Sequence, residues 1–160
     1  MNTDDAAIHM SLLSQPRLLA SVRSLIITLA ERIGFGEVES GHIALAVDEA
    51  LANIIRHGYE QRENELIEIY VWTLSKPHKG IRIMIEDEAP QIDPDQIKGR
   101  DLENVRPGGL GVHIMREVMN TCRFERRENK GMRVIMEKTL GSEPPDSSKV
   151  TGSPSASETG

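Results

Sequence analysis

Glu49 and Asn53 stand four residues apart in Asp-Glu-Ala-Leu-Ala-Asn-Ile-Ile-Arg-His-Gly-Tyr, residues 48–59. On a helix that spacing puts a carboxylate and an amide on one face. The carboxylate can take a proton from an attacking hydroxyl, and the amide oxygen is a hard ligand suited to magnesium beside phosphates. Val47, Ala50, Leu51, Ile54 and Ile55 around them are apolar, so the pair would be presented from a half-buried helix. Taken alone, a Glu-x-x-x-Asn pattern is more often the solvated edge of an exposed helix.

Two later segments add chemistry. Ile83-Met84-Ile85-Glu86-Asp87-Glu88-Ala89-Pro90 reads as an apolar strand that ends in an aspartate where the chain leaves the sheet. Asp87 could accept a hydrogen bond from the amino group of adenine, or it could cap the next turn. Arg106-Pro107-Gly108-Gly109-Leu110-Gly111 precedes an apolar helix. Glycines there allow close backbone approach, and helix-end amides favour phosphate oxygens; the same residues could simply start a helix sharply, with Arg106 a solvated charge. There is no GxxxxGK[ST] P-loop, and the His-Arg-Asp and Asp-Phe-Gly signatures of ordinary protein kinases are missing.

The elements that would hold these groups follow from periodicity. Ala7 to Leu13 reads as a strand, and Pro16 opens an amphipathic helix that runs to Ile33 and stops at Gly34. Ser40 is the expected cap of a second helix, which carries Glu49 and Asn53 and stops at His57-Gly58. Glu65–Leu74 and Gly80–Glu86 alternate as an antiparallel hairpin. A long loop from Asp87 to Gly109 leads to a helix from Leu110 to about Asn120. Strands near Cys122–Arg127 and Met132–Lys138 close the pattern around the turn Glu128-Asn129-Lys130-Gly131. The folded unit is expected over 5–140. Residues 141–160 hold no aromatic and one branched aliphatic, which predicts a disordered tail.

Bulk properties narrow the function classes. The 160 residues, 38% hydrophobic and 28% charged, fit one globular domain. A net charge of -6 argues against non-specific nucleic-acid binding. No apolar run reaches membrane-spanning length, and the acidic start Met-Asn-Thr-Asp-Asp is unlike a secretory signal, so a cytoplasmic location is expected. Cys122 stands alone, which removes thiolate zinc and dithiol readings.

In this order the three segments resemble the GHKL ATP-binding superfamily and, within it, the bacterial anti-sigma factor serine/threonine kinases. The resemblance spans about residues 7–140, with Asp48 to Tyr59 and Gly-Leu-Gly-Val-His-Ile-Met-Arg, residues 109–116, as its closest parts. It implies an α/β two-layer sandwich of the Bergerat type, with a mixed, mostly antiparallel sheet covered on one face by helices. It also implies ATP and Mg2+ as cofactors. Glu49 would be the catalytic base, Asn53 the magnesium ligand and Asp87 the adenine-binding acid. Gly109 and Gly111, flanking Leu110, would hinge an ATP lid whose Arg106 and Arg100 meet the terminal phosphates. Arg17 and Arg23 would lie near the partner-binding face. The implied partners are a sigma factor, a STAS-type anti-sigma-factor antagonist as phosphorylation substrate, and a second copy in a homodimer, with no nucleic acid or membrane. One departure stands out: the family pattern Asp-x-Gly has Ala89 in its third place, a methyl group that would crowd the base pocket. That departure is the basis of an alternative, a non-catalytic nucleotide-gated anti-sigma binding module.

Overall fold

Strand alternation decides which side chains go inward. The computed structural model describes residues 2–97 and 110–141. Strands β1 (Ile8–Leu13), β2 (Leu66–Leu74), β3 (Gly80–Glu86), β4 (Thr121–Arg126) and β5 (Met132–Thr139) form one sheet in the order β1-β2-β3-β5-β4. All four pairings are antiparallel, so the expected antiparallel majority is the whole sheet among the described residues. One face carries Ile67, Ile69, Val71, Ile81, Ile83, Ile85, Val134 and Met136, which join the helices in a single apolar cluster. Each fully buried isoleucine there contributes about 1.5–3 kcal/mol. On the opposite face Trp72, Met84 and Ile135 form a small second cluster with Tyr70 and Ala6, beside the Arg82–Glu137 ion pair at 2.7 Å.

Helix α1 (Leu19–Ile33) buries Val22, Ile26 and Ala30 at four-residue spacing. Pro16 opens a 3-10 turn, Pro16–Leu18, that runs directly into it. Gly34, at φ 119°, ends it by donating its N–H to the carbonyls of Ala30 and Glu31, the left-handed stop that glycine takes without strain.

Helix α2 (Glu37–Asn53) corrects one expectation: Ser40 is not its cap. The helix starts at Glu37 after Gly36, and Ser40 is fully buried inside it, its own N–H donating to the Gly36 carbonyl at 2.8 Å. Glu37 and Glu39 in the first turn complement the positive helix end and support the earlier start. Packed between α1 and α3 (Leu110–Val118), α2 buries residues around most of its circumference. Beyond Asn53 the chain widens into a π-turn, Ile54–Gly58, before it leaves the helix. Among the described residues, no helix is long and apolar enough to cross a membrane. Arg100, Arg106, Gly109 and the tail from 142 onward lie outside the described residues.

Candidate active site

Glu49 and Asn53 share one face of α2, and both are partly exposed. The first turn of α3 lies against them. A methyl group on Gly111 would overlap Glu49 Oε2 and stand 3.4 Å from Asn53 Nδ2. Glycine at 111 therefore lets the start of α3 approach both side chains, and the first and third motifs meet in direct contact. Leu110, at the head of α3, is exposed. The amides of such a helix start favour anionic oxygens.

Asp87 lies where β3 ends, and it is buried. Its Oδ1 accepts from the Ala89 N–H at 2.9 Å and the Met132 N–H at 3.1 Å. Its backbone N–H donates to the Met132 carbonyl at 3.0 Å. Arg127 Nη1 donates to the Asp87 carbonyl at 2.7 Å, and Gly131, at φ 84°, packs so closely on that carbonyl that any Cβ would overlap it. Burial raises the Asp87 carboxyl above the ordinary aspartate range, partly offset by the Met132 and Ala89 hydrogen bonds. One carboxylate oxygen is thus held by backbone, and no described residue bonds the other.

Ala89 is buried in the main core. A Cβ built on Gly58 would come within 3.1 Å of the Ala89 methyl, so the glycine that ends the π-turn makes room for it. Tyr59, one residue later, is buried; its hydroxyl donates to the Leu66 carbonyl at 2.6 Å and accepts from the Glu88 N–H at 2.7 Å. Burial pushes this phenol up to about 12. The second motif is thereby joined to the end of the first.

The sequence reading missed the groups that hold Asp87. Arg127 bonds the Asp87 carbonyl and stands 3.5 Å from buried Glu86, which pairs with Arg133 at 2.6 Å. Gln91 Nε2 donates to the carbonyls of Arg127 at 2.6 Å and Gly131 at 3.2 Å, strapping the loop after Asp87 to the β4–β5 turn. The one legible signal was the Gly131 turn. A cleft on this side, lined by Glu88, Arg127, Lys130 and Arg133 among others, is distinct from the meeting of the motifs. Within it Lys130 pairs with Glu88 at 2.7 Å and Arg133 with Glu86.

Of the two basic residues of the first helix, Arg23 donates through Nε to Asp48 Oδ2, beside Glu49, and Arg17 bonds Gln15 at 2.8 Å. No cluster of three or more His, Cys, Asp or Glu side chains suited to a metal occurs among the described residues. What remains is one amide oxygen near one carboxylate. That donor set suits magnesium, which keeps waters and phosphate oxygens as its main ligands, and does not suit zinc.

Residues 12–138 match the family model described as the histidine kinase-like ATPase domain. The chain is 28% identical over 145 residues to the serine-protein kinase RsbW of Bacillus subtilis (strain 168), covering 85% of this chain and 87% of that protein. It is 34% identical over 104 residues to the anti-sigma F factor of Clostridium novyi (strain NT), covering 62% and 71%. To the serine/threonine-protein kinase BtrW of Bordetella bronchiseptica (strain ATCC BAA-588 / NCTC 13252 / RB50) it is 30% identical over 90 residues, covering 54% and 61%.

Proposed function

The chain belongs to the histidine kinase-like ATPase domain family, and from that premise we propose that it is a Mg-ATP-dependent serine/threonine kinase working by partner switching. It phosphorylates a STAS-type anti-sigma-factor antagonist and, in its other state, sequesters a sigma factor. The names of its relatives, a serine-protein kinase and an anti-sigma factor, support both halves of this reading. The observation that carries it is the convergence of three motifs on the end of α2 and the π-turn that follows it: Gly111 against Glu49 and Asn53, and Ala89 against Gly58.

In this reading Asp87 receives the adenine, and the start of α3 with Gly109, Gly111 and Arg106 closes over the phosphates. Asn53 holds magnesium, which when bound neutralises charge on the phosphate oxygens. Glu49 takes the proton of the substrate hydroxyl as its oxygen bonds to the terminal phosphorus and the bond from that phosphorus to the ADP oxygen breaks. The Ala89 methyl packs into the core, which weakens the basis of the non-catalytic alternative. In this reading the protein acts in the cytoplasm as a homodimer.

Labelled ATP mixed with the protein and its antagonist tests the assignment. Label should pass to a serine or threonine of the antagonist, and Glu49→Ala should lower the rate by about 10²–10⁴-fold. An unlabelled antagonist, or a Glu49→Ala variant as active as wild type, would remove the kinase reading.

A further inference from the structure

We propose that Tyr59 is the positioning residue of the base pocket: its buried hydroxyl, shared between the Leu66 carbonyl and the Glu88 N–H, sets where the Asp87 carboxylate is presented. The inference rests on the reading that Asp87 receives the nucleotide base.

Three segments meet at one oxygen. Tyr59 follows the π-turn that ends α2, Leu66 opens β2, and Glu88 is the residue after Asp87. The hydroxyl donates at 2.6 Å to the second and accepts at 2.7 Å from the third. With its pKa held at about 12 by burial, the phenol stays a neutral donor throughout the working pH range. The Glu88 side chain takes no part in this contact; it is turned to Lys130 at 2.7 Å.

The other supports of the Asp87 turn, Arg127, Gly131 and Met132, all come from the β4–β5 side. Tyr59 and Gly58 come from the helix side, and of those two only Tyr59 supplies a directional bond. It therefore fixes the turn relative to α2, the helix that carries Glu49 and Asn53. Phenylalanine would keep the ring in the core but leave the part-buried Glu88 N–H and Leu66 carbonyl without their partner. The turn would then shift relative to the helix, while Glu49 and Asn53, earlier on α2, would keep their places.

The test compares wild type, Tyr59→Phe and Asp87→Ala by calorimetric titration with ADP and by competition with inorganic tripolyphosphate, which has no base. KM for ATP and kcat are measured alongside. Tyr59→Phe should weaken ADP by about 5- to 20-fold and raise KM for ATP in parallel, with kcat at saturation and tripolyphosphate affinity unchanged. Unchanged ADP affinity, or an equal loss for ADP and tripolyphosphate, overturns the proposal. If Asp87→Ala weakens ADP and Tyr59→Phe does not, only the role of Tyr59 fails; if Asp87→Ala leaves ADP binding intact, the base-pocket reading fails and takes this inference with it. Should Tyr59→Phe not fold, hydrogen exchange of wild type decides: the Glu88 amide must exchange at least about tenfold more slowly than an open loop amide, and an unprotected amide overturns the proposal.

Discussion

The two ends of the site are built on opposite principles. Around Glu49 and Asn53 the side chains are partly exposed, make no hydrogen bond to any described residue, and are placed only by a rigid helix and by the closeness of Gly111. Around Asp87 the carboxylate is buried, one oxygen is held by two backbone amides, and Arg127, Gly131 and Tyr59 surround the turn. The difference fits the proposed tasks. A group that moves a proton or binds a solvated ion needs unfilled hydrogen-bonding capacity. A group that selects one edge of a base needs fixed direction, and in a desolvated place any misdirected polar atom is costly.

Breaking the open end should give the largest effect. Gly111→Ala would drive a methyl group into the Glu49 carboxylate and should lower phosphoryl transfer by about 10²-fold, a larger factor than its effect on ADP affinity. Comparable losses in transfer and ADP affinity would mean that the ends are not separate. Gly131→Ala attacks the locked end: it combines a φ of 84° with overlap on the Asp87 carbonyl and should cost about 1–3 kcal/mol of stability. Its signature is a lowered denaturation midpoint with weakened ADP binding, and kcat at saturation preserved in the folded fraction.

The smallest effect is a pH dependence. Burial raises the Asp87 carboxyl above its ordinary value. The fold therefore favours the protonated form, and its stabilising contribution is complete below the unfolded-state pKa and lost as pH rises through the folded-state value. Wild type should gain stability relative to Asp87→Asn as pH falls from neutral towards the ordinary aspartate range. Denaturant midpoints of both proteins at stepped pH measure this, and a gap that stays flat would show that burial does not govern the carboxyl.

The strands and helices were legible because their signals are local. Ile67, Ile69 and Val71 alternate as a half-buried strand must, and Val22, Ile26 and Ala30 repeat as one helix face must. The Ser40 cap failed because capping residues are ambiguous when an acidic pair sits just upstream: the helix began at Glu37 and carried Ser40 into the core. Glu49, Asn53 and Asp87 were visible as residue types at particular spacings. The lock around Asp87 was not, because its parts lie far apart in the chain. Arg127 is 40 positions from Asp87, Met132 is 45, and Tyr59 is 29 from Glu88. Their bonds run largely to backbone atoms, which carry no residue-type signature. The π-turn was equally hidden, since Ile-Ile-Arg-His-Gly reads as an ordinary helix end.

The contact between Gly58 and Ala89 makes two distant positions behave as one choice of volume. With alanine at 89, a methyl group at 58 would come within 3.1 Å of it, so the turn would have to give slightly; with glycine at 89, a small side chain at 58 would find space. An exchange of the two, Gly58→Ala with Ala89→Gly, conserves the filled volume and moves one methyl group across the seam between helix and sheet. The identity of the residue at 89 is thus a statement about the helix end as much as about the proposed base pocket.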